Sequence, residues 1–456
     1  MNVFSLRSTL VKDYERFARS FTTIRAQDIR EQVDALYATG RYWPEPLLQV
    51  NPKFAAAQTL DELAAAGAVH RETARVFRFD DEGGTGTAGT SLKLHLHQAE
   101  ALAFGQRGES FVVTTGTGSG KSLCFFLPIF DGILKAKEAD SASRTQAIII
   151  YPMNALANSQ AEELQKFLRR LTPQPVTFAR YTGQESDAER RRIADNPPDI
   201  LLTNYMMLEL LMTRQDELDR QVIANCQGLR YLVLDELHTY RGRQGADVAM
   251  LVRRVRERVA APDLVCIGTS ATMASEGTAS EKNATVARVA SKIFATPIPP
   301  TRVVQETLRR VTDERHNGVS IRPQLAAAIR GALPTAATDA DLKVHPLAIW
   351  VENVLGLDDR PGERKVRARP LTLMEAVDRL AEDSGLPKAE CGEALEKFLL
   401  LAAQGEVART GRILVSERLG EVERRVLGVG GPLSGLSSAH HRFLRWHRVR
   451  EGFALV

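Results

Sequence analysis

The sequence places no two of its four cysteines close together. Cys124, Cys226, Cys266 and Cys391 form no C-x-x-C pair, which argues against a zinc ribbon and against the disulfide framework of a small secreted domain. A reducing compartment is expected. No apolar run reaches about 18 residues before a charge interrupts it, and the opening MNVFSLRSTLVKDYERF holds no signal-length apolar stretch, so neither a membrane span nor a secretory leader is expected. The expected location is cytoplasmic. Charge of one sign is also scarce: 60 Lys+Arg against 56 Asp+Glu leave +4, too little to imply a polyanionic partner unless the basic groups cluster. What remains is 456 residues with 44% hydrophobic content, enough for buried cores in about two to four domains.

The patterning divides the chain. Residues 1–78 are predicted as an N-terminal helical module, with Leu10, Tyr14, Phe17 and Phe21 recurring at spacings of three and four. Within it, TGRYWPEPLLQVNPKF has too many breakers for a helix and makes Trp43 a candidate packing anchor. FDDEGGTGTAGT, residues 79–90, is predicted as a flexible linker and domain boundary. Residues 91–300 change character, with apolar runs at 110–115, 146–152, 176–182, 199–205, 229–236 and 263–272 separated by helical stretches such as 158–171 and 246–259. Short runs without alternation suit parallel strands buried on both faces, and their rhythm predicts a doubly wound α/β layer. Residues 301–404 form a mostly helical accessory region. Residues 405–456, with nine Arg and no Lys or Asp, are an unassigned tail, and a native C-terminus and a truncated or frame-shifted end remain open.

The chemistry concentrates in two runs. VVTTGTGSGKS ends a hydrophobic strand and opens a helix, the setting a phosphate-binding loop requires. Thr115, Gly116, Thr117, Gly118, Ser119 and Gly120 form the loop, whose amides can turn inward around phosphate oxygens at a helix N-terminus. Lys121 can reach β- and γ-phosphates, and the Ser122 hydroxyl can ligate Mg²⁺. The usual template has Gly where this chain has Thr115. In LRYLVLDELHTY, Asp235 and Glu236 end a second buried strand, at the edge where open α/β sheets bind ligands. Asp235 is the second candidate for Mg²⁺, and Glu236 for polarising the water that attacks a γ-phosphate.

These runs, with others in the same order, resemble the superfamily 2 helicases of the DExH-box group over about residues 91–275. The resemblance implies ATP and Mg²⁺, a RecA-like ATPase lobe, and Lys121, Asp235 and Glu236 as catalytic groups. LHLHQAEAL resembles the segment whose Gln contacts adenine, implying Gln98 beside His97, with an ordinary interior or surface His-Gln pair as the competing reading. YPMNALANSQ, YTGQ and TNYMML resemble strand-contacting motifs, implying Pro152, Asn154, Thr182, Gly183, Thr203 and Asn204 as DNA contacts. Small donors at strand ends can hold phosphates without reading bases, and ordinary turn and capping roles also explain them. SAT resembles the motif linking hydrolysis to movement, implying Ser270 and Thr272 together with His238 as coupling residues.

DELHTYRGRQGADVAMLVRRV and YWPEPLLQVNP further resemble large bacterial antiphage-defence helicases, the Druantia-type and less closely the DISARM-type. That implies DNA as partner, single-stranded or duplex with a loading strand, other defence-system subunits, and no membrane. Arg241, Arg243, Arg253, Arg254, Arg256 and Arg258 could approach a phosphate backbone, but a solvated helix face is the simpler reading. The 184 residues after Thr272 show no second α/β series and no Q-x-x-G-R-x-G-R-like motif. The expected fold is therefore α/β with one RecA-like lobe, and full activity is expected to need a second lobe. A non-enzymatic ATP-binding or DNA-docking subunit and an RNA helicase are the alternatives.

Overall fold

A computed structural model describes residues 3–21, 23–38, 47–79, 89–116, 118–169, 171–270, 278–315, 320–331, 339–358 and 365–402. Trp43, most of the 79–90 linker and the whole 405–456 tail lie outside these. The chain divides into two compact units, one of Phe54–Thr307 and one of Met1–Lys53 with Leu308–Val456.

The first unit is built on seven strands: β1 (Phe111–Thr114), β2 (Ala147–Tyr151), β3 (Phe178–Tyr181), β4 (Ile200–Asn204), β5 (Tyr231–Leu234), β6 (Val265–Ser270) and β7 (Val303–Gln305). They lie in the order β7-β1-β6-β5-β2-β4-β3, and every pairing is parallel. All six anticipated strands are present, and β7 is a seventh beyond the expected limit at 300. Strands β2, β5 and β6 are buried at every residue, which explains why their sequences do not alternate.

Helices cover both faces. On one lie α1 (Leu60–Ala65), α2 (Arg71–Val76), α3 (Leu96–Gln106), α4 (Lys121–Ala139) and α5 (Asn154–Leu168), packed with Phe111, Val113, Ile149, Val233 and Ile267. On the other lie α6 (Asp187–Asp195), α7 (Tyr205–Thr213), α8 (Glu217–Ala224), α9 (Gly242–Arg258) and α10 (Ala279–Phe294), packed with Val112, Ile148, Ile150, Leu232, Leu234 and Cys266. Alternate residues of each strand thus feed opposite cores, the doubly wound arrangement of a RecA-like lobe.

As a compact unit the lobe starts well before the 79–90 linker. Leu60, Val76 and Phe77 are buried in its first core, where the Phe77 ring lies 5.0 Å from Phe130 and 5.1 Å from Phe167. Asp131, buried in α4, accepts hydrogen bonds from the His70 amide at 2.6 Å, Lys135 Nζ at 2.7 Å and Gln106 Nε2 at 2.9 Å. One carboxylate therefore joins the N-terminus of α2, the last residue of α3 and the middle of α4, and a buried charge is tolerable only with such partners.

In the second unit, Leu325, Leu347, Trp350, Leu380, Leu395 and Phe398 form a separate core. Its described strands are two-residue pieces, and it is otherwise helical. Among the described residues no helix is long and apolar enough to cross a membrane.

The closest approach of α3 and α4 depends on Gly105. A Cβ there would lie 2.3 Å from Pro128 Cβ, part of a rigid ring in a helix. Gly105→Val should cost about 1–3 kcal/mol through overpacking, measured as a lower urea midpoint at an unchanged m-value.

Candidate functional site

With every strand parallel, all seven C-terminal ends meet at one edge, and the singled-out residues gather there. The loop after β1 has tight backbone demands. Gly118 and Gly120 take φ of 77° and 72°, the left-handed region that disfavours side chains. At Gly120 a Cβ would also lie 2.5 Å from Gln98 Nε2. Thr115, standing where the usual template has Gly, shares a 2.7 Å hydrogen bond between its hydroxyl and that of Ser119, both buried, so it staples the loop from within. Gly116 N donates to Glu306 Oε2 at 3.0 Å. Thr117 lies outside the described residues.

The start of α3 braces this loop. His97 Nε2 is 2.9 Å from the Ser119 carbonyl, while Gln98 Nε2 donates to the carbonyls of Gly120 at 3.2 Å and Ser119 at 3.4 Å. Gln98 Oε1 accepts from the His95 amide at 2.9 Å, so both ends of this buried amide are engaged by backbone. The structure thus gives Gln98 a loop-bracing role that the adenine-contact expectation did not contain.

Opposite the loop stands the acidic pair. Asp235 follows β5 and donates its amide to the Ile150 carbonyl of β2 at 2.9 Å. Glu236 adopts φ 52° and ψ 54°, a left-handed conformation that costs a non-glycine residue about 1–2 kcal/mol. Lys121 Nζ lies 3.6 Å from Glu236 Oε1 and, shielded from solvent, makes no hydrogen bond among the described residues. Burial pushes the Asp235 carboxyl above the usual carboxylate range, against a hydrogen bond from Thr269 that lowers it. His238 Nδ1 sits 3.2 Å from Glu236 Oε2 and 3.3 Å from Ser270 Oγ, so the structure brings together two of the three expected coupling residues. Thr272 lies outside the described residues.

A glycine-rich turn at a helix N-terminus, a shielded ammonium with no hydrogen-bond acceptor and a carboxylate pair fit the polyphosphate of a nucleotide. Among the described residues no group of three or more His, Cys, Asp or Glu could hold a metal ion. The donor set instead suits Mg²⁺, which is commonly held by one or two protein oxygens plus substrate phosphates. Ser122, in the first turn of α4, and Asp235 could supply those oxygens.

The strand-end positions are mixed. Asn204 caps α7 by accepting from the Met207 amide at 2.7 Å, and its Nδ2 donates to Asn154 Oδ1 at 2.6 Å and the Thr182 carbonyl at 3.2 Å. This joins Asn154, Thr182 and Asn204 into one patch beside half-buried Pro152 and exposed Gly183. The Glu185 carboxylate accepts from the amides of Thr182, Gly183 and Gln184 at 2.7, 2.9 and 3.1 Å, and from the Thr182 hydroxyl at 2.9 Å. Thr203 requires correction: it is fully buried and donates its hydroxyl to the Tyr181 carbonyl at 2.6 Å, so its side chain is no surface donor. Several of the arginines also have intramolecular work. Arg256 caps the end of α10 through the carbonyls of Phe294 and Ala295 at 3.1 and 3.0 Å, and Arg254 pairs with Glu209.

Three residues that sequence reasoning passed over belong here: Thr269, Glu185 and Glu306. Thr269 had only a partial signal, as a polar residue near the end of a strand that opens Val-Cys-Ile-Gly; that it stands level with Asp235, one step beyond the Leu234–Gly268 register, is visible in the structure alone. The other two had none, because a solvated carboxylate and a loop ligand look alike in sequence.

Residues 95–279 match the family model described as DEAD/DEAH box helicase. Over 185 residues it is 35% identical to the uncharacterized ATP-dependent helicase YprA of Bacillus subtilis, covering 40% of this chain and 23% of that protein. It is 27% identical over 291 residues to the Druantia protein DruE of Escherichia coli, covering 40% of this chain and 16% of that one. A solved structure of the DUF1998 helicase MrfA bound to DNA aligns at 24% identity and a TM-score of 0.43, over 59% of this chain and 31% of that one. The matches thus span under a quarter of these two curated relatives' lengths.

The correction at Thr203 yields a clean contrast. Thr203→Val should lower stability by about 1–3 kcal/mol, since it leaves the Tyr181 carbonyl short of a donor, yet bind a fluorescent single-stranded oligonucleotide within twofold of the unaltered protein. A larger loss of affinity without a loss of stability would restore Thr203 as a contact.

Proposed function

We infer that the lobe is the ATP-hydrolysing part of a DNA-acting helicase or translocase. The observation that carries this reading is the approach of Lys121 Nζ to Glu236 Oε1, 3.6 Å across the loop, which sets a phosphate-seeking cation against a carboxylate able to take a proton from water. In this reading the loop amides and Lys121 hold the β- and γ-phosphates. Glu236 accepts a proton from the water that attacks the γ-phosphorus as the bond to the bridging oxygen breaks, giving ADP and phosphate. Ser122 and Asp235 would hold Mg²⁺, which would supply charge neutralisation for the phosphates when bound. His238, Ser270 and Thr272 link this site to movement, and Gln98 contacts adenine in addition to bracing the loop.

Asn154, Thr182, Gly183 and Asn204, with Pro152, form the patch for the strand backbone, and DNA is the strand we assign to it. The name of YprA, an ATP-dependent helicase, supports the motor reading, and the match to DruE, a Druantia protein, accords with the antiphage-defence role beside other subunits that we assign from the sequence resemblance. A second lobe completes the motor, because arginines that stabilise the transferred phosphoryl group contribute several orders of magnitude to turnover and the described residues hold no second sheet of more than two strands.

The deciding measurement is steady-state ATP hydrolysis with and without single-stranded DNA, alongside equilibrium ATP binding. Lys121→Ala should weaken ATP binding at least tenfold while unfolding at the same temperature, and Glu236→Gln should bind ATP but lose hydrolysis. Unchanged affinity in Lys121→Ala would refute the site. Binding without turnover in any combination with a second lobe would favour a nucleotide-sensing subunit, and preferential capture of matched RNA over DNA would reassign the strand.

A further inference from the structure

Thr269 is the buried residue at which the acidic pair is tied to the neighbouring strand. Its hydroxyl accepts a hydrogen bond from the Glu236 amide at 3.1 Å and makes a second one to Asp235 Oδ1. The direction of the second follows from its partner. A carboxylate only accepts, so the one hydroxyl proton goes to Asp235 while a lone pair faces the Glu236 N–H. One side chain thus fixes two things: the rotamer of Asp235 and the peptide that enters the left-handed turn at Glu236, where φ is 52°.

The strand register makes this possible. Leu234 pairs with Gly268 on one side and with Ile150 on the other, so Asp235 stands between Thr269 and Tyr151. Tyr151 is fully buried, and its hydroxyl makes no hydrogen bond among the described residues. Of the two flanking side chains, only Thr269 is bonded to the carboxylate. The next residue, Ser270, contacts His238, so consecutive residues of β6 address the acidic pair and the histidine that follows it.

We propose that Thr269 is a positioning residue for the metal-nucleotide complex: its hydroxyl holds Asp235 and the Glu236 turn in the geometry that receives Mg²⁺ with the phosphates. The proposal rests on the nucleotide reading above. It separates two contributions to binding, because the loop and Lys121 act on phosphate directly, whereas Thr269 acts only through the carboxylates and therefore only when the metal is present.

The test is equilibrium binding of a ribose-labelled fluorescent ATP analogue to the full chain, in Mg²⁺ and in EDTA, for Thr269→Val, Thr269→Ser and Thr269→Ala. Valine keeps the shape and removes the hydroxyl, serine keeps the hydroxyl, and alanine introduces no clash, so it reports if valine misfolds. We expect at least a tenfold loss in Mg²⁺ for the valine and alanine proteins, no change beyond twofold in EDTA, and wild-type binding in both buffers for serine. Valine and alanine binding within twofold of wild type in Mg²⁺ would overturn the proposal. An equal loss in Mg²⁺ and EDTA would also overturn it, by making the hydroxyl a general support of the lobe. Absence of binding by the unaltered chain in both buffers would instead overturn the nucleotide reading, and this proposal with it.

Discussion

The parallel register of β2, β5 and β6 is the constraint on which the site depends. Because Leu234 lies level with both Ile150 and Gly268, the first residue past β5 emerges between two strands that still have a residue to offer. A carboxylate there is enclosed enough to be raised in pKa yet has a hydroxyl within reach to offset that cost. An antiparallel neighbour would bring a strand beginning to this edge, and a one-residue slip would turn Asp235 toward the opposite core.

Local strain is concentrated at the same edge. Gly118 and Gly120 absorb left-handed turns without penalty, but Glu236 cannot, and its conformation survives because surrounding bonds determine it. Its amide is held by Thr269, its carboxylate faces Lys121, and its carbonyl accepts from the Thr239 amide and hydroxyl, each at 2.8 Å. The loop is similarly over-determined: α3 braces it from one side, the Thr115 staple holds it inside, and Glu306 ties its first glycine. Rigid supports of this kind let small groups act on a ligand without first being ordered by it.

Much of this was legible in the sequence for physical reasons. A phosphate loop needs glycines at fixed offsets between a strand and a helix, and strands buried on both faces need unbroken apolar runs, so the six strands, Lys121 and the acidic pair could be found from residue types alone. The start of the lobe was less legible, because Leu60 and Val76 lie in short helices, with Phe77 just beyond the second, that look like a continuation of the preceding module. Thr203 and Thr269 mark the other limit. Both are threonines near strand ends, and only the three-dimensional neighbours show that one hydroxyl serves a backbone carbonyl and the other a candidate catalytic carboxylate.

The link from Gly116 to Glu306 spans 190 residues, and β7, which ends just before Glu306, pairs with β1. The side of β1 beside the loop is thus paired by the last part of the lobe to be synthesised, which becomes the edge strand of the sheet. Helices and local turns can form as the chain emerges, but this pairing waits for residues 303–306 and carries the entropic cost of a very long loop closure. Until then β1 has an open edge next to a run of glycines, the kind of surface that invites wrong pairing. The residues that finish the lobe therefore also end the exposure of β1, an order of events set by their position in the chain.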